Sequence, residues 1–388
     1  MDRRTFVRGM CLGGAATFAL PAVRFAQVPG SSKLVFVLLR GGFDGLAAVV
    51  PVDDPGYAAL RGSMAFSASD VVRVDAGFGL APGLAPLRAL WDDGQLVALH
   101  AMAIPYRTRS HFDGQAILET GLDGPNGASD GWLNRLLQVM EGQRSGIAIA
   151  AGMPRSLTGS HQVATWSPAR LGIVEGAYVD RLSVLYRHDP DLHGTFEAAL
   201  QMKETAPDMD PAMGGRAARG QPSAIMSAAA KILTQPGGPN VAALEFSGWD
   251  THANQGMGGG QLDRLLGQLS AGLLTFRTEM GTDWANTTVV AMTEFGRTAK
   301  PNGTGGTDHG TAGAGFVIGP NVRKSAVVTD WPGLSERALY EGRDLRPTLD
   351  TRTVLKGVVA GVFDLTSGQA DRVFPGTQGV RGLVELMR

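Results

Sequence analysis

The sequence predicts an α/β fold built on a mostly parallel central sheet with helices on both faces. Three observations lead there. Short apolar runs bounded by glycines alternate with stretches of helical periodicity from residue 33 to residue 362. The first run, Lys33-Leu34-Val35-Phe36-Val37-Leu38-Leu39, is apolar at successive positions, as a strand buried on both faces requires. Polar clusters follow four of the runs, and open parallel sheets gather ligand chemistry at the carboxyl ends of their strands.

In chain order, the strand at Lys33–Leu39 ends in the turn Arg40-Gly41-Gly42, and Leu84–Trp91 carries apolar residues at helical spacing. Further strands are expected at Leu96–His100, Ile147–Ala151, Val241–Phe246, Thr287–Met292 and Gly315–Ile318. Helices are expected after Ser110 and over Asp130–Met140, Tyr178–Tyr186, Leu192–Lys203, Ser223–Leu233, Gln261–Met280 and Asp350–Val362. Strands alternating with helices argue for parallel crossover connections. Residues 204–221 are rich in Pro, Met, Gly and Ala without periodicity, which reads as a loop or insertion.

Composition agrees. With 388 residues, 44% hydrophobic and 18% charged, the chain can bury a sizeable core, which excludes disorder as its main state. Its 54 glycines and 21 prolines stay below the share of about 25–30% that marks low complexity. Thirty-five basic and 36 acidic residues give a formal charge of -1, so nucleic acid is not an expected partner.

The N-terminus reads Met1-Asp2-Arg3-Arg4-Thr5-Phe6-Val7, followed by an apolar, small-residue run from Met10 to Leu20. Paired arginines before a short apolar run predict a twin-arginine export signal over 1–26, with cleavage near Ala22 or Ala26. The run is too short to span a bilayer core of about 30 Å. Cys11, the single cysteine, lies inside this signal, so a mature chain of 27–388 has no disulfide, thiolate ligand or thiol nucleophile. The expectation is one exported α/β domain, periplasmic or secreted, without a membrane span, and with the twin-arginine machinery as a partner.

Four clusters can carry chemistry. Arg40-Gly41-Gly42-Phe43-Asp44-Gly45 presents Asp44 from a sharp turn, either as a turn aspartate or as a ligand. In Arg107-Thr108-Arg109-Ser110-His111-Phe112-Asp113, Ser110 fits the N-cap of the next helix. The same position suits a nucleophile, because backbone amides there favour a developing oxyanion. His111 beside it suits general acid–base work or a supporting role. Phe246-Ser247-Gly248-Trp249-Asp250-Thr251-His252 puts a carboxylate and an imidazole two residues apart, within reach of one divalent ion or of each other. Thr293-Glu294-Phe295-Gly296-Arg297 leads into Gly303-Thr304-Gly305-Gly306-Thr307-Asp308-His309-Gly310, a glycine-rich loop that lacks the Lys-Ser/Thr ending of a P-loop.

From Leu39-Arg40-Gly41-Gly42-Phe43-Asp44-Gly45 through Trp331-Pro332-Gly333-Leu334 to Phe374-Pro375-Gly376, the chain resembles a twin-arginine-exported bacterial family without an assigned activity. That family is related to the sulfatases, alkaline phosphatases and cofactor-independent phosphoglycerate mutases. The resemblance implies an alkaline phosphatase-like fold and one or two divalent ions, Zn, Ca, Mg or Mn. It implies Asp44, Asp250, His252, Glu294, Asp308 and His309 as metal ligands and Ser110 as nucleophile, supported by His111 and Arg109. Arg40 and Arg297 would clamp the anionic oxygens of a small ester or glycan substrate. Two departures stand out: Asp250 and His252 are closer in sequence than is usual, and Phe295 occupies the place of a ligating histidine. The expected function is therefore a metal-dependent phosphate or sulfate ester hydrolase, and the alternative is a non-catalytic envelope binding or assembly protein on a hydrolase-like fold.

Overall fold

The computed structural model of the protein describes residues 32–75, 77–140, 144–150, 152–167, 176–187, 221–256, 258–378 and 382–388. The export signal, the helix expected at Leu192–Lys203 and nearly all of the loop at 204–221 lie outside the described residues.

Twelve strands are present among the described residues: β1 (Lys33–Arg40), β2 (Val49–Val50), β3 (Val72–Asp75), β4 (Phe78–Leu80), β5 (Leu96–Ala103), β6 (Gly146–Ile149), β7 (Ala164–Trp166), β8 (Val241–Ser247), β9 (Thr287–Met292), β10 (Gly313–Ile318), β11 (Ala326–Val328) and β12 (Leu349–Asp350). Nine of them form one sheet in the order β11-β5-β10-β9-β1-β8-β6-β7, with β12 also paired to β5. All its pairings are parallel except those of β10, which runs antiparallel to both β9 and β5. A small antiparallel sheet, β2-β4-β3, packs beside it.

The helices are α1 (Gly45–Ala48), α2 (Tyr57–Arg61), α3 (Arg88–Asp92), α4 (His111–Thr120), α5 (Trp132–Val139), α6 (Gly176–Tyr186), α7 (Pro222–Leu233), α8 (Gln261–Met280), α9 (Thr351–Phe363) and α10 (Ser367–Val373). The stretch Leu84–Trp91 is divided: Pro82–Leu87 forms a 3₁₀ helix that carries Pro86, and α3 begins after it. Proline lacks the N–H that an α-helical turn needs there.

Strand β1 shows why the sheet has two covered faces. Val35, Val37 and Leu39 enter a core with Leu266, Leu269 and Phe276 of α8 and Met226 and Leu233 of α7. Leu34, Phe36 and Leu38 enter the opposite core with Trp132 and Leu136 of α5, Val354 and Val358 of α9 and Phe374. Alternate side chains of a strand point to opposite faces, so a run apolar at every position needs helices on both. Removing one such leucine side chain costs about 2–5 kcal/mol.

Candidate metal centre

Strands β8, β1 and β9 are neighbours, parallel and in register, with Arg40 opposite Ser247 and Leu38 opposite Met292. The turns that follow them therefore leave the sheet side by side: Gly41–Asp44, Gly248–Asp250 and Thr293–Arg297. Because β10 is antiparallel, it starts at this same edge, so the glycine-rich loop with Asp308 and His309 joins β9 to β10 without crossing the sheet. Helix α4 brings its first residue, His111, to the same place.

Gly41 makes the close approach possible. Its φ is +125°, and a Cβ there would meet the Asp250 nitrogen at 2.5 Å. Only glycine takes that conformation without strain.

Four side chains converge. His309 Nε2 lies 3.0 Å from His111 Nε2, 3.0 Å from His252 Nε2 and 3.1 Å from Asp250 Oδ1. His111 Nε2 lies 3.3 Å from Asp250 Oδ2, and His252 Nε2 lies 3.0 Å from Asp250 Oδ1. Among the described residues, His111, Asp250 and His309 form the group of acidic and imidazole ligands whose atoms all fall within 4.8 Å of one another. The side chains of His111 and His309 are each 25% exposed and that of His252 is 46% exposed, so the cluster opens to solvent on the His252 side.

The far sides of the three rings explain the near sides. His111 Nδ1 donates to Glu294 Oε1 at 2.8 Å, His252 Nδ1 to Asp308 Oδ1 at 3.1 Å, and His309 Nδ1 to the Arg109 carbonyl at 3.0 Å. Carboxylate and carbonyl oxygens only accept, so in each neutral ring the hydrogen sits on Nδ1. Three Nε2 lone pairs then face one another beside a carboxylate, and a cation between them removes the repulsion. Metal-bound histidines are held in this way, with the second nitrogen donating to an outer acceptor. Spacing also fits: a tetrahedral ion with bonds of about 2.0–2.1 Å sets its ligand atoms about 3.3–3.4 Å apart.

Electrostatics follow the same contacts. The Glu294 hydrogen bond raises the His111 pKa. Burial, together with the nearby His111, lowers that of His309. For Asp250, burial pushes the carboxyl upward, but the Arg297 hydrogen bond and charge outweigh it and hold it below the usual range. Glu294 is likewise lowered, since hydrogen bonds led by that of His111 overcome its burial. The Asn302 hydrogen bond, joined by His252, lowers Asp308.

The eleven residues singled out in the sequence do not share one place. Asp250, His252, His309 and His111 meet at the cluster. Glu294 and Asp308 stand one hydrogen bond behind it, on the Nδ1 atoms. Arg109 takes a left-handed φ of +64°, presents its carbonyl to His309, and pairs its guanidinium with Asp344 and Glu341 at 2.8 and 2.7 Å. Arg297 is 2% exposed, and its donors go to Thr307, Gly41 and Asp250, the last at 2.5 Å. That arrangement holds Asp250, where the sequence suggested a clamp on substrate. Arg40 is likewise taken up, by Gln115, Glu119 and Glu245.

Asp44 sits apart from the four converging groups. Its Oδ2 accepts from Arg61 at 2.6 Å and from Gln255 at 2.7 Å, and its Oδ1 accepts from the Ala47 N–H. Ser110 occupies the N-cap of α4, one residue before His111, without making a side-chain cap bond. The Phe295 ring packs on His111 and His309 at centroid distances of 4.8 and 5.1 Å, forming an apolar wall.

Sequence reasoning missed Arg61, Gln255 and Asp344. None stands in a motif; the one available signal was a charged or amide residue amid apolar or glycine neighbours, as in Leu60-Arg61-Gly62.

Comparison with solved structures finds distant likenesses. The chain is similar to PsFucS1 sulfatase from Pseudoalteromonas sp., at 13% identity and a TM-score of 0.39, covering 91% of this chain and 70% of that one. It is similar to Ps i-CgsB at 10% identity and a TM-score of 0.38, covering 87% and 74%. It is also similar to the alkaline phosphatase PafA at 11% identity and a TM-score of 0.34, covering 70% and 64%. None of the curated proteins matches the chain. The family described as "Protein of unknown function (DUF1501)" matches residues 94–375, a span that holds every residue of the converging cluster, and the chain belongs to that family.

Proposed function

We propose that the protein is an exported, metal-dependent hydrolase of a phosphate or sulfate ester, with Ser110 as its nucleophile. The observation that carries this reading is the meeting of three histidine Nε2 atoms and the Asp250 carboxylate, with the ring hydrogens spent on outer acceptors. His111, His309 and Asp250 would hold the ion, with His252 on the exposed side. A bound divalent ion lowers the pKa of a nearby hydroxyl and neutralises oxygen charge on an anionic ester.

Ser110 directly precedes His111, at the N-cap position of α4. Its oxygen would attack phosphorus or sulfur, the bond to the leaving alcohol would break, and water would then release the anion from Ser110. The Tyr106 phenol donates to Asp113 at 2.7 Å in the first turn of α4, and the Ser110 hydroxyl proton would leave to solvent. Among the described residues no helix is long and apolar enough to cross a membrane. Twin-arginine export suits this site, because residues 111 to 309 must be folded together before the ligands meet.

The test joins elemental analysis of protein purified without chelator to assays on an aryl phosphate and an aryl sulfate. A divalent metal is expected, with turnover that Ser110→Ala abolishes while the metal stays. His309→Ala should weaken metal binding by at least about 100-fold, as loss of a direct ligand does more than loss of a supporting group. No metal, no turnover and Ser110→Ala indistinguishable from the parent would overturn the proposal. Metal without turnover, in a protein that binds an anionic glycan regardless of Ser110, would identify the binding protein that Phe295 favours.

A further inference from the structure

We propose that the centre takes one divalent ion, of the nitrogen-preferring Zn or Co type, and that two buried guanidiniums, Arg61 and Arg297, take the electrostatic place of a second. This rests on the hydrolase reading for the presence of an ion, and goes beyond it in number, class and the role of two arginines.

Asp44 is where a second ion would need a ligand, and its oxygens are already engaged. Arg61 Nη2 reaches Oδ2 at 2.6 Å, Gln255 donates to the same oxygen, and the Ala47 N–H donates to Oδ1. Arg61 is fully buried and Asp44 is 2% exposed. A guanidinium cannot give up its proton inside a protein. Admitting an ion at Asp44 would therefore strand one buried cation beside another, a penalty of several kcal/mol. Asp250 differs, since its Oδ1 accepts from buried Arg297 while its Oδ2 faces the cluster, 3.3 Å from His111 Nε2, where the one ion would sit.

A buried chain joins the two pairs. Gln255 donates to Asp44 and accepts from Thr251 and Thr307, each at 2.8 Å, and Thr307 in turn accepts from Arg297 at 3.1 Å. Two fixed positive charges thus stand in one hydrogen-bonded network that runs from Asp44 to Asp250.

Charge counting leads to the same number. The groups touching the cluster are the carboxylates Asp250, Glu294 and Asp308 and the guanidinium of Arg297, so neutral imidazoles leave two negative charges. One divalent ion cancels them. Asp44 and Arg61 cancel each other, as do Asp344 and Glu341 against Arg109 and Arg343. Arg40 with Glu119 and Glu245 adds one further negative charge, separated from Glu294 by the neutral amide of Gln115. Two imidazole ligands, with a third at the rim, suit Zn or Co better than the oxygen-seeking Ca or Mg.

Calorimetric titration of the full, chelator-stripped chain with Zn²⁺ and Co²⁺, joined to elemental analysis, tests the number. One ion per chain is expected. The double variant Asp44→Asn/Arg61→Gln removes both charges and keeps hydrogen-bonding groups; it should still bind one ion, with affinity changed less than about tenfold, the lower bound for a group that supports a ligand. Two ions in the parent, or loss of the ion in a folded double variant, would overturn the inference while leaving the hydrolase reading intact. No ion at all would overturn both. Should the double variant fail to fold, the parent stoichiometry decides alone.

Discussion

Two polar clusters sit on neighbouring turns at one edge of the sheet, and they are built on opposite terms. In the Asp44–Arg61–Gln255 cluster, both Asp44 oxygens are satisfied by donors of the chain itself, out of contact with solvent. In the His111–His252–His309–Asp250 cluster, the outer nitrogens are satisfied and the inner ones are left facing each other, partly open to solvent. The difference separates a polar group that braces a fold from one that waits for a ligand. Burial and charge alone do not separate them; the direction of each hydrogen does.

The sharpest way to break the contrast is Arg61→Ala, which leaves Asp44 buried and uncompensated. Denaturant unfolding should show a loss of about 3–5 kcal/mol, as for other broken buried pairs. A loss below about 1 kcal/mol would mean that the Gln255 and Ala47 donors satisfy Asp44 without the guanidinium. His100 extends the comparison to a histidine whose two nitrogens are both engaged by backbone: Nε2 donates to the Val49 carbonyl at 2.9 Å and Nδ1 accepts from the Ala101 N–H at 2.7 Å. Burial lowers its pKa to about 4. The folded state therefore favours the neutral ring. Its stabilisation is complete above the ordinary histidine pKa of about 6.5 and declines as pH falls toward 4, by about 3 kcal/mol in all. Unfolding curves from pH 7 to 4 should show that decline, and His100→Gln should flatten it.

Glu294→Gln probes the outer acceptor of His111. Metal affinity should fall about 10–100-fold, read by competition with a chromogenic chelator, while the melting temperature moves little. The mildest expectation concerns Phe112, which neighbours His111 yet is 89% exposed. Phe112→Ser should change stability by no more than about 0.5 kcal/mol, and a larger loss would reveal a packing partner.

Much of the fold was legible because it is written in continuous apolar runs. Val241–Phe246, Thr287–Met292 and Gln261–Met280 match β8, β9 and α8 to within a residue. The direction of β10 was not legible, since an apolar run reads the same either way along a sheet. Strands of two to four residues, such as β2, β3 and β7, are too short for periodicity to register. At the centre, three of the four polar clusters picked out in the sequence supply the converging side chains, and spacing could not rank their residues. Whether Glu294 touches an ion or the back of His111 depends on angstroms that spacing does not encode. Arg61 was silent because an arginine that pairs across the fold with Asp44 carries no local pattern. Arg297 looked like a substrate clamp because its burial is a property of the folded chain.

The central position of β1 has a consequence for how the molecule comes into being. The first strand of the described chain finds its partners only in residues 241–247 and 287–292. Neither neighbour exists when β1 leaves the ribosome, so a strongly apolar segment must wait unpaired. At about 5–20 residues per second, His309 emerges roughly 15–60 s after synthesis begins. During that interval Leu34–Leu39 has no sheet partner, and the centre of the sheet closes only once residues 241–247 and 287–292 have been made.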